Sequence, residues 1–471
     1  MNRIGMLVFC AVLALPGAAP AEPKKDAPAK TLDVGLLQAA PKVVSHLCGK
    51  KYRRVGVLPF RVKKGERAAG HEEAPLAALL PSRIENALVM VMDPDEKKAL
   101  EVVPDAAAYA SSLEVGAWAK DEAAFEKLFA TEYPLGWGER KVKPDVFLTG
   151  VVTCSGDRAT TTVEIVAFTK GDWKDGVKTS PVTAFTVRTD RTLLRDLGYA
   201  YALSPDVAKR DKSAQDRDKE ALEQIVAQEK GKADKAPSPA DVAGFRFDLW
   251  YGDKKQTFES LSGKKDGAKA TLFQVPPPEE GAKVKLGLTR LDGKAGRLGV
   301  IVKLNGVSIY QMDERDSLQC LKWLFDAKDK GSPFAFTGFV MDANGDEVRP
   351  FRVLTKKESA KKAAELGDRA GWIDVDVFAS GEEEQEEEQL LISTRGRHEG
   401  KKPATLADLR KGLLARNNAQ VKESDVVRRA PGGLIVADVE PVKGFELNEG
   451  KLPNPVRIGG VSIRYYDPAA K

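Results

Sequence analysis

The rhythm of apolar and polar positions divides this chain into stretches of different kinds. From Arg53 to Val91 a short apolar run, Val55, Val57, Leu58 and Phe60, predicts a strand. Pro59 suits the end of that strand, because it has no backbone N–H to give to a ladder. After a polar loop, Leu80, Ile84, Leu88 and Val91 recur at helical spacing, with Arg83, Glu85 and Asn86 between them. Before this unit, Leu32–Leu47 reads as a helix interrupted near Pro41. After it come a strand at Glu101–Val103 and helices at Asp105–Ser112 and Asp121–Ala130. Asp121 is placed to cap the second of these, with Ala124, Phe125, Leu128 and Phe129 on one face. Strands at Val146–Cys154, Thr160–Phe168 and Val182–Thr189 follow, separated by Ser155-Gly156-Asp157 and Gly171-Asp172-Trp173 turns.

The pattern then breaks. Residues 201–243 are rich in Lys, Arg, Asp, Glu, Gln and Ala, with room for one short helix at Ala221, Leu222, Ile225 and Val226. That composition reads as a charged linker. From Phe245 the period switches to two. Strands are expected at 270–275, 283–290, 299–304, 307–310, 334–341, 348–354 and 372–378, with turns at Asp292-Gly293, Asn305-Gly306 and Asn344-Gly345. Asp316–Phe325 reads as an inserted helix, Leu390–Ile392 as a further strand, Leu406–Leu414 as a helix, and Leu434–Val439 and Val456–Tyr465 as closing strands. The predicted fold class is therefore α+β. A mixed α/β sheet domain at 32–200 is followed by a β-rich, sandwich-like module at 244–471, itself divisible into 244–380 and 390–471. The hexapeptides beginning at Asn305 and Gly460 are alike, which fits either a duplicated hairpin or chance in a β-rich sequence.

Two short motifs carry a resemblance. The Val-Gly-Val-Leu-Pro-Phe strand at 55–60, and the later Pro-Asp-Val-Phe-Leu-Thr-Gly-Val-Val segment at 144–152, resemble the N-terminal domain of TolB. They also resemble its relatives in curli-secretion (CsgG-type) and penicillin-binding-protein activator lipoproteins. The likeness covers about residues 52–188. It implies a mixed sheet that the first motif enters and to which the second returns, in an exported assembly or scaffold domain. Neither a propeller repeat nor a pore-forming hairpin pattern follows it.

Residues 1–21 fit an exported chain. Asn2 and Arg3 precede an apolar stretch from Ile4 to Leu15, Pro16-Gly17 breaks it, and Ala19-Pro20-Ala21 offers cleavage after Ala21. This is the pattern of a secretory signal peptide. A Pro/Ala/Lys spacer occupies 22–31. Cys10 sits inside the apolar stretch behind Phe9, where lipoprotein signals have a small residue. Elsewhere no apolar run reaches the roughly 20 residues of a spanning helix. The expected location is periplasmic or secreted. Net charge is +5, from 74 basic and 69 acidic residues, which is not the footprint of a nucleic-acid binder. Cleavage would leave Cys48, Cys154 and Cys320. Three cysteines allow one disulfide, Cys48–Cys154 being the pairing within one domain.

The chemistry-bearing residues do not converge. His46, His71 and His398 are scattered. His46 and Cys48 would share a face only in an extended segment, and no further ligand accompanies them. Ser262–Lys265 and Ser359–Lys362 match S-x-x-K without the companion motifs. Asp342–Glu347 is explained by its Asn-Gly turn, and Leu135-Gly-Trp-Gly138 lacks a strand-to-helix context for phosphate. The acidic run Glu382–Glu388 reads as a solvated insertion. Catalytic, cofactor and metal residues are accordingly expected to be none. The chain reads as an exported, non-enzymatic envelope protein whose partner is another envelope protein. The alternative is a secreted hydrolase or carbohydrate-binding protein with a site formed by unrecognised loops.

Overall fold

The computed structural model describes residues 31–64, 74–106, 109–110, 121–174, 176–208, 213–230, 237–260, 272–293, 296–313, 316–342, 347–366, 369–381, 403–418, 434–438, 442–443 and 452–466. The expected signal peptide, the expected spacer except Thr31, His71, His398, Ser262–Lys265, the acidic run Glu382–Glu388 and the strand expected at Leu390–Ile392 lie outside the described residues.

The first half is built from α1 (Leu32–Gly49), β1 (Arg54–Val57), β2 (Arg61–Lys64), α2 (Pro75–Val91), β3 (Glu101–Val103), α3 (Glu122–Ala130), β4 (Val146–Cys154), β5 (Thr160–Thr169), β6 (Ser180–Arg188) and α4 (Arg191–Asp196). Its mixed sheet runs β3-β1-β4-β5-β6, with β2 also alongside β4. β1 lies parallel to both β3 and β4, and β4, β5 and β6 are antiparallel. β1 and β2 form one line against β4, interrupted at Leu58–Phe60 where Pro59 cannot donate. Thr149 Oγ1 donates to the Pro59 carbonyl at 2.7 Å across that break. A second proline is accommodated in the same place. Pro81 inside α2 removes the donor that the Ala77 carbonyl would receive, and the N–H of Phe60 supplies it at 3.2 Å. Gly150 is required here, since a Cβ would stand 1.8 Å from the Glu164 carbonyl oxygen.

α1 runs unbroken through Pro41, contrary to the expected interruption. Proline costs a helix one bond and a clash, but this helix is anchored on both sides of it. Leu36, Ala40, Val43 and Leu47 are buried. Asp121 caps α3 as expected, accepting the Ala124 N–H at 2.8 Å.

The rest comprises β7 (Tyr201–Ala202), α5 (Ala214–Glu229), β8 (Phe245–Tyr251), β9 (Val284–Arg290), β10 (Leu298–Leu304), β11 (Trp323–Phe325), β12 (Pro333–Phe336), β13 (Glu347–Val353), α6 (Lys356–Leu366), β14 (Trp372–Ser380), α7 (Leu406–Asn418), β15 (Ile435–Ala437) and β16 (Pro455–Arg464). β14 is central to an eight-stranded sheet, flanked by β10 and β16. β8, β9 and β12 form a second sheet, and β13 with β15 a third. Both helices and several sheets are present, so the α+β class holds.

Four expectations change. The stretch 201–243 is folded: β7 pairs with β16, and α5 buries Arg217, Ala221 and Ile225. Its few apolar side chains recur at i and i+4, enough to dock one face of an otherwise charged helix. The division into 244–380 and 390–471 does not appear either, because β16 completes the sheet begun by β10 and β14. Nor does α7 stay with that sheet. Leu406, Leu409 and Leu413 are buried, and Arg410 Nε donates to the Val89 carbonyl at the end of α2, 2.7 Å away. Finally, Trp323–Phe325 is a strand paired with β10 where a helix was expected. Of the two similar hexapeptides, the first turns a hairpin at Asn305-Gly306, while the second runs straight along the last residues of the single strand β16 to Tyr465 just beyond it.

Candidate functional site

A network of buried ion pairs lies where the two halves meet. Arg83 of α2 reaches Asp33 of α1 at 3.4 Å and Asp196 of α4 at 3.3 Å. Arg195 bonds Asp196 at 2.7 Å and, across the junction, Asp376 of β14 at 2.7 Å. Arg457 of β16 faces Asp376 at 3.6 Å and Asp316 at 3.3 Å, and donates to Thr192 Oγ1 at 2.8 Å. Beside them Arg191 pairs with Asp218 of α5 at 2.9 Å and donates to the Arg457 carbonyl. Arg191, Arg195 and Asp196 share the short helix α4, and their other partners come from α1, α2, α5, β14, β16 and the segment around Asp316. Sheet and helix packing alone brings them together.

Burial alone would favour the neutral acids, but the arginines decide which carboxyls stay charged. Burial pushes the Asp376 carboxyl up, and Arg195 with Arg457 outweighs it, holding the group below the ordinary carboxylate range. Asp316 is driven further down by Arg457 and Arg195 against the same burial. Asp374 goes the other way. Burial raises it beyond what Arg195 recovers, and Ser462 Oγ donates to it at 2.5 Å. The cavity beside this cluster, lined by Arg83, Lys303, Asp316 and Asp374, has a volume of about 40 Å³. That is room for only a few waters, at roughly 10–15 Å³ each. Carboxylates paired to arginine around so small a space make a joint. The opening is far below the roughly 300–1,000 Å³ of a ligand pocket.

The residues weighed from the sequence are not assembled into a site. His46 and Cys48 lie in the last turn of α1, where positions two apart point to different faces. The Cys48–Cys154 bridge is not formed; Cys48 is exposed and Cys154 buried. Burial pushes the Cys320 thiol up to about 11. Ser359 is buried, and its hydroxyl accepts the Leu434 N–H at 3.0 Å. Trp137, Trp323 and Trp372 are buried in the core. Among the described residues no group of three or more His, Cys, Asp or Glu side chains is placed to hold a metal. No helix of the described residues is long and apolar enough to cross a membrane.

A different feature is open to a partner. β6 is the terminal strand of the first sheet and, at nine residues, the longest strand at any sheet edge among those described. One flank pairs with β5 from Ser180 to Arg188. One face is covered by α1, where Gly35 sits so close that a Cβ would meet Val187 at 2.6 Å. The first part of the edge is blunted, by Pro181 and by a register shift opposite Ile165–Val166. Thr183–Arg188 remain as regular edge strand, with Ala184 exposed.

No family model, curated protein or solved structure matches this chain.

Proposed function

We propose that this is an exported, non-enzymatic envelope protein that works by protein–protein interaction or assembly, with a TolB/CsgG-like first half and a sandwich-like second half. The resemblance is supported by the pairing of its two motif strands, since Val55–Val57 and Val146–Leu148 lie side by side and parallel. The reading of the role rests on the β6 edge. An exposed edge strand adds a partner strand through main-chain hydrogen bonds, with alternate side chains giving selectivity. The joint between the halves would serve this role by holding the edge in a fixed relation to the second half.

The test is site-specific photocrosslinking of the full chain in its own cell envelope. A photoreactive residue at Ala184 should capture one discrete partner, while one at Glu126 on α3 should not. Neighbouring amides on a strand point to opposite edges, so either Thr183 or Ala184 presents its N–H outward. Of Thr183→Pro and Ala184→Pro, the variant that keeps the parental melting temperature should lose the partner. Absence of any adduct from β6 in a folded, exported chain would remove this reading.

A further inference from the structure

We propose that a cleft at the amino ends of β1, β3 and β4 binds an extended peptide segment bearing several carboxylates. The proposal rests on the binding role inferred above and names a kind of partner for it. The cleft is about 810 Å³ and is walled by Lys50, Lys51, Arg53 and Lys170 around Tyr52 and Pro144. That volume lies within the range of true ligand clefts, about 300–1,000 Å³.

The local acids are already engaged. Asp145 bonds Arg54 at 2.5 Å and accepts the N–H groups of Arg53 and Arg54, both at 3.0 Å. Glu101 is held by Arg140 at 2.6 Å. Asp172 accepts the Thr169 N–H at 2.6 Å. Lys50, Lys51 and Lys170 form no ion pair among the described residues, and Lys50 and Lys51 are exposed. Lys50 follows the carboxyl end of α1, where a cation offsets the helix dipole. That accounts for one charge and leaves the others.

The arrangement also selects among anions. A compact dianion such as phosphate is bound by converging N–H groups, a helix N-terminus or guanidinium forks. The α-helix ends at the cleft, those of α1 and α3, are C-termini; the single 3-10 turn at Lys170–Asp172 has its first N–H, that of Thr169, taken by Asp172; and Arg53 and Arg54 are turned to the Lys97 carbonyl and to Asp145. What remains is a set of dispersed point charges on flexible stems. Separate carboxylates along an extended chain match it better than one concentrated charge.

Fluorescence anisotropy with a labelled hepta-glutamate peptide and the full chain provides the test. Binding is expected at low salt, fading as added salt shortens the Debye length to about 10 Å at 0.1 M. The double variant Lys51→Glu/Lys170→Glu should weaken it about tenfold or more, since two attractions become repulsions. Lys219→Glu, on the solvent face of α5, should not, and a hepta-glutamine peptide should not bind. No binding at low salt, equal weakening by Lys219→Glu, or displacement by inorganic phosphate at matched charge would overturn the proposal. If the cleft fails while Ala184 still crosslinks, the binding role stands and only this partner chemistry falls.

Discussion

Two ion pairs of almost the same length behave as opposites in this molecule. Arg195–Asp376 spans 2.7 Å with side-chain exposures of 10% and 1%. Arg54–Asp145 spans 2.5 Å with exposures of 42% and 23%. Distance does not distinguish them, but solvent does. The first is stranded in low dielectric, where each charge depends on its partner. The second is rehydrated the moment it opens. The junction is therefore brittle to single changes, whereas the rim of the cleft tolerates them and is free to be used for binding.

The largest effect should come from breaking the junction. Arg195→Met leaves Asp376 and Asp196 with one cation fewer in a buried site. Loss of one member of such a pair costs about 3–5 kcal/mol. Urea unfolding should show that loss, with the double variant Arg195→Met/Asp376→Leu recovering part of it. Recovery should be incomplete, because Asp376 also faces Arg457. A loss below about 1 kcal/mol for Arg195→Met would place this pair with the exposed ones and dissolve the contrast.

A pH experiment sharpens the same contrast. Asp190 caps α4, accepting the Leu193 N–H at 2.7 Å. Burial, then the nearby Asp218, pushes its carboxyl up to about 6. A raised folded pKa stabilises the fold below the unfolded value near 4, and that contribution is lost as pH rises through about 6. Asp190→Asn keeps a capping oxygen and removes the charge. At pH 7 the variant should be more stable than its parent by about 1–3 kcal/mol, with the gain closing between pH 6 and 4. An equal gain at both ends of that range would mean that charge is not the cause.

What the sequence revealed and what it hid follow from interaction range. The strand ending at Pro59, the Asp121 cap and the Asn305-Gly306 hairpin depend on neighbours a few residues away, and all three were legible. Asn305 and Gly306 have φ of 55° and 82°, the left-handed pair such a turn needs. The Arg195–Asp376 contact joins residues 181 apart, and no local pattern announces it. α5 was misread for a related reason. Its composition is that of a solvated linker, and its anchors are two core side chains, Ala221 and Ile225, together with the buried Arg217 and the Asp218–Arg191 pair, whose partners lie elsewhere in the chain. Trp323–Phe325 shows another kind of ambiguity. Leu318, Leu321 and Leu324 repeat at helical spacing, yet Leu321 is exposed and the aromatic pair prefers the sheet. The edge and the cleft were invisible because being at an edge is a property of the assembled sheet.

The smallest effect is the most informative about the cleft. Arg54→Met removes the partner of Asp145, as Arg195→Met removes the partner of Asp376. Asp145 nonetheless keeps two backbone N–H donors, from Arg53 and Arg54. Those amides survive the substitution, because they belong to the main chain. Its carboxyl is also wet enough to be rehydrated, so the loss should stay within about 0–1 kcal/mol. Arg54 donates to the same carboxylate, and its pKa is raised chiefly by that hydrogen bond. Removing it frees negative charge at the cleft floor, so the hepta-glutamate peptide should bind more weakly even though the fold is unchanged. A stability loss as large as that of Arg195→Met would show that Asp145 is a second buried joint, and the rim would no longer be free for a partner.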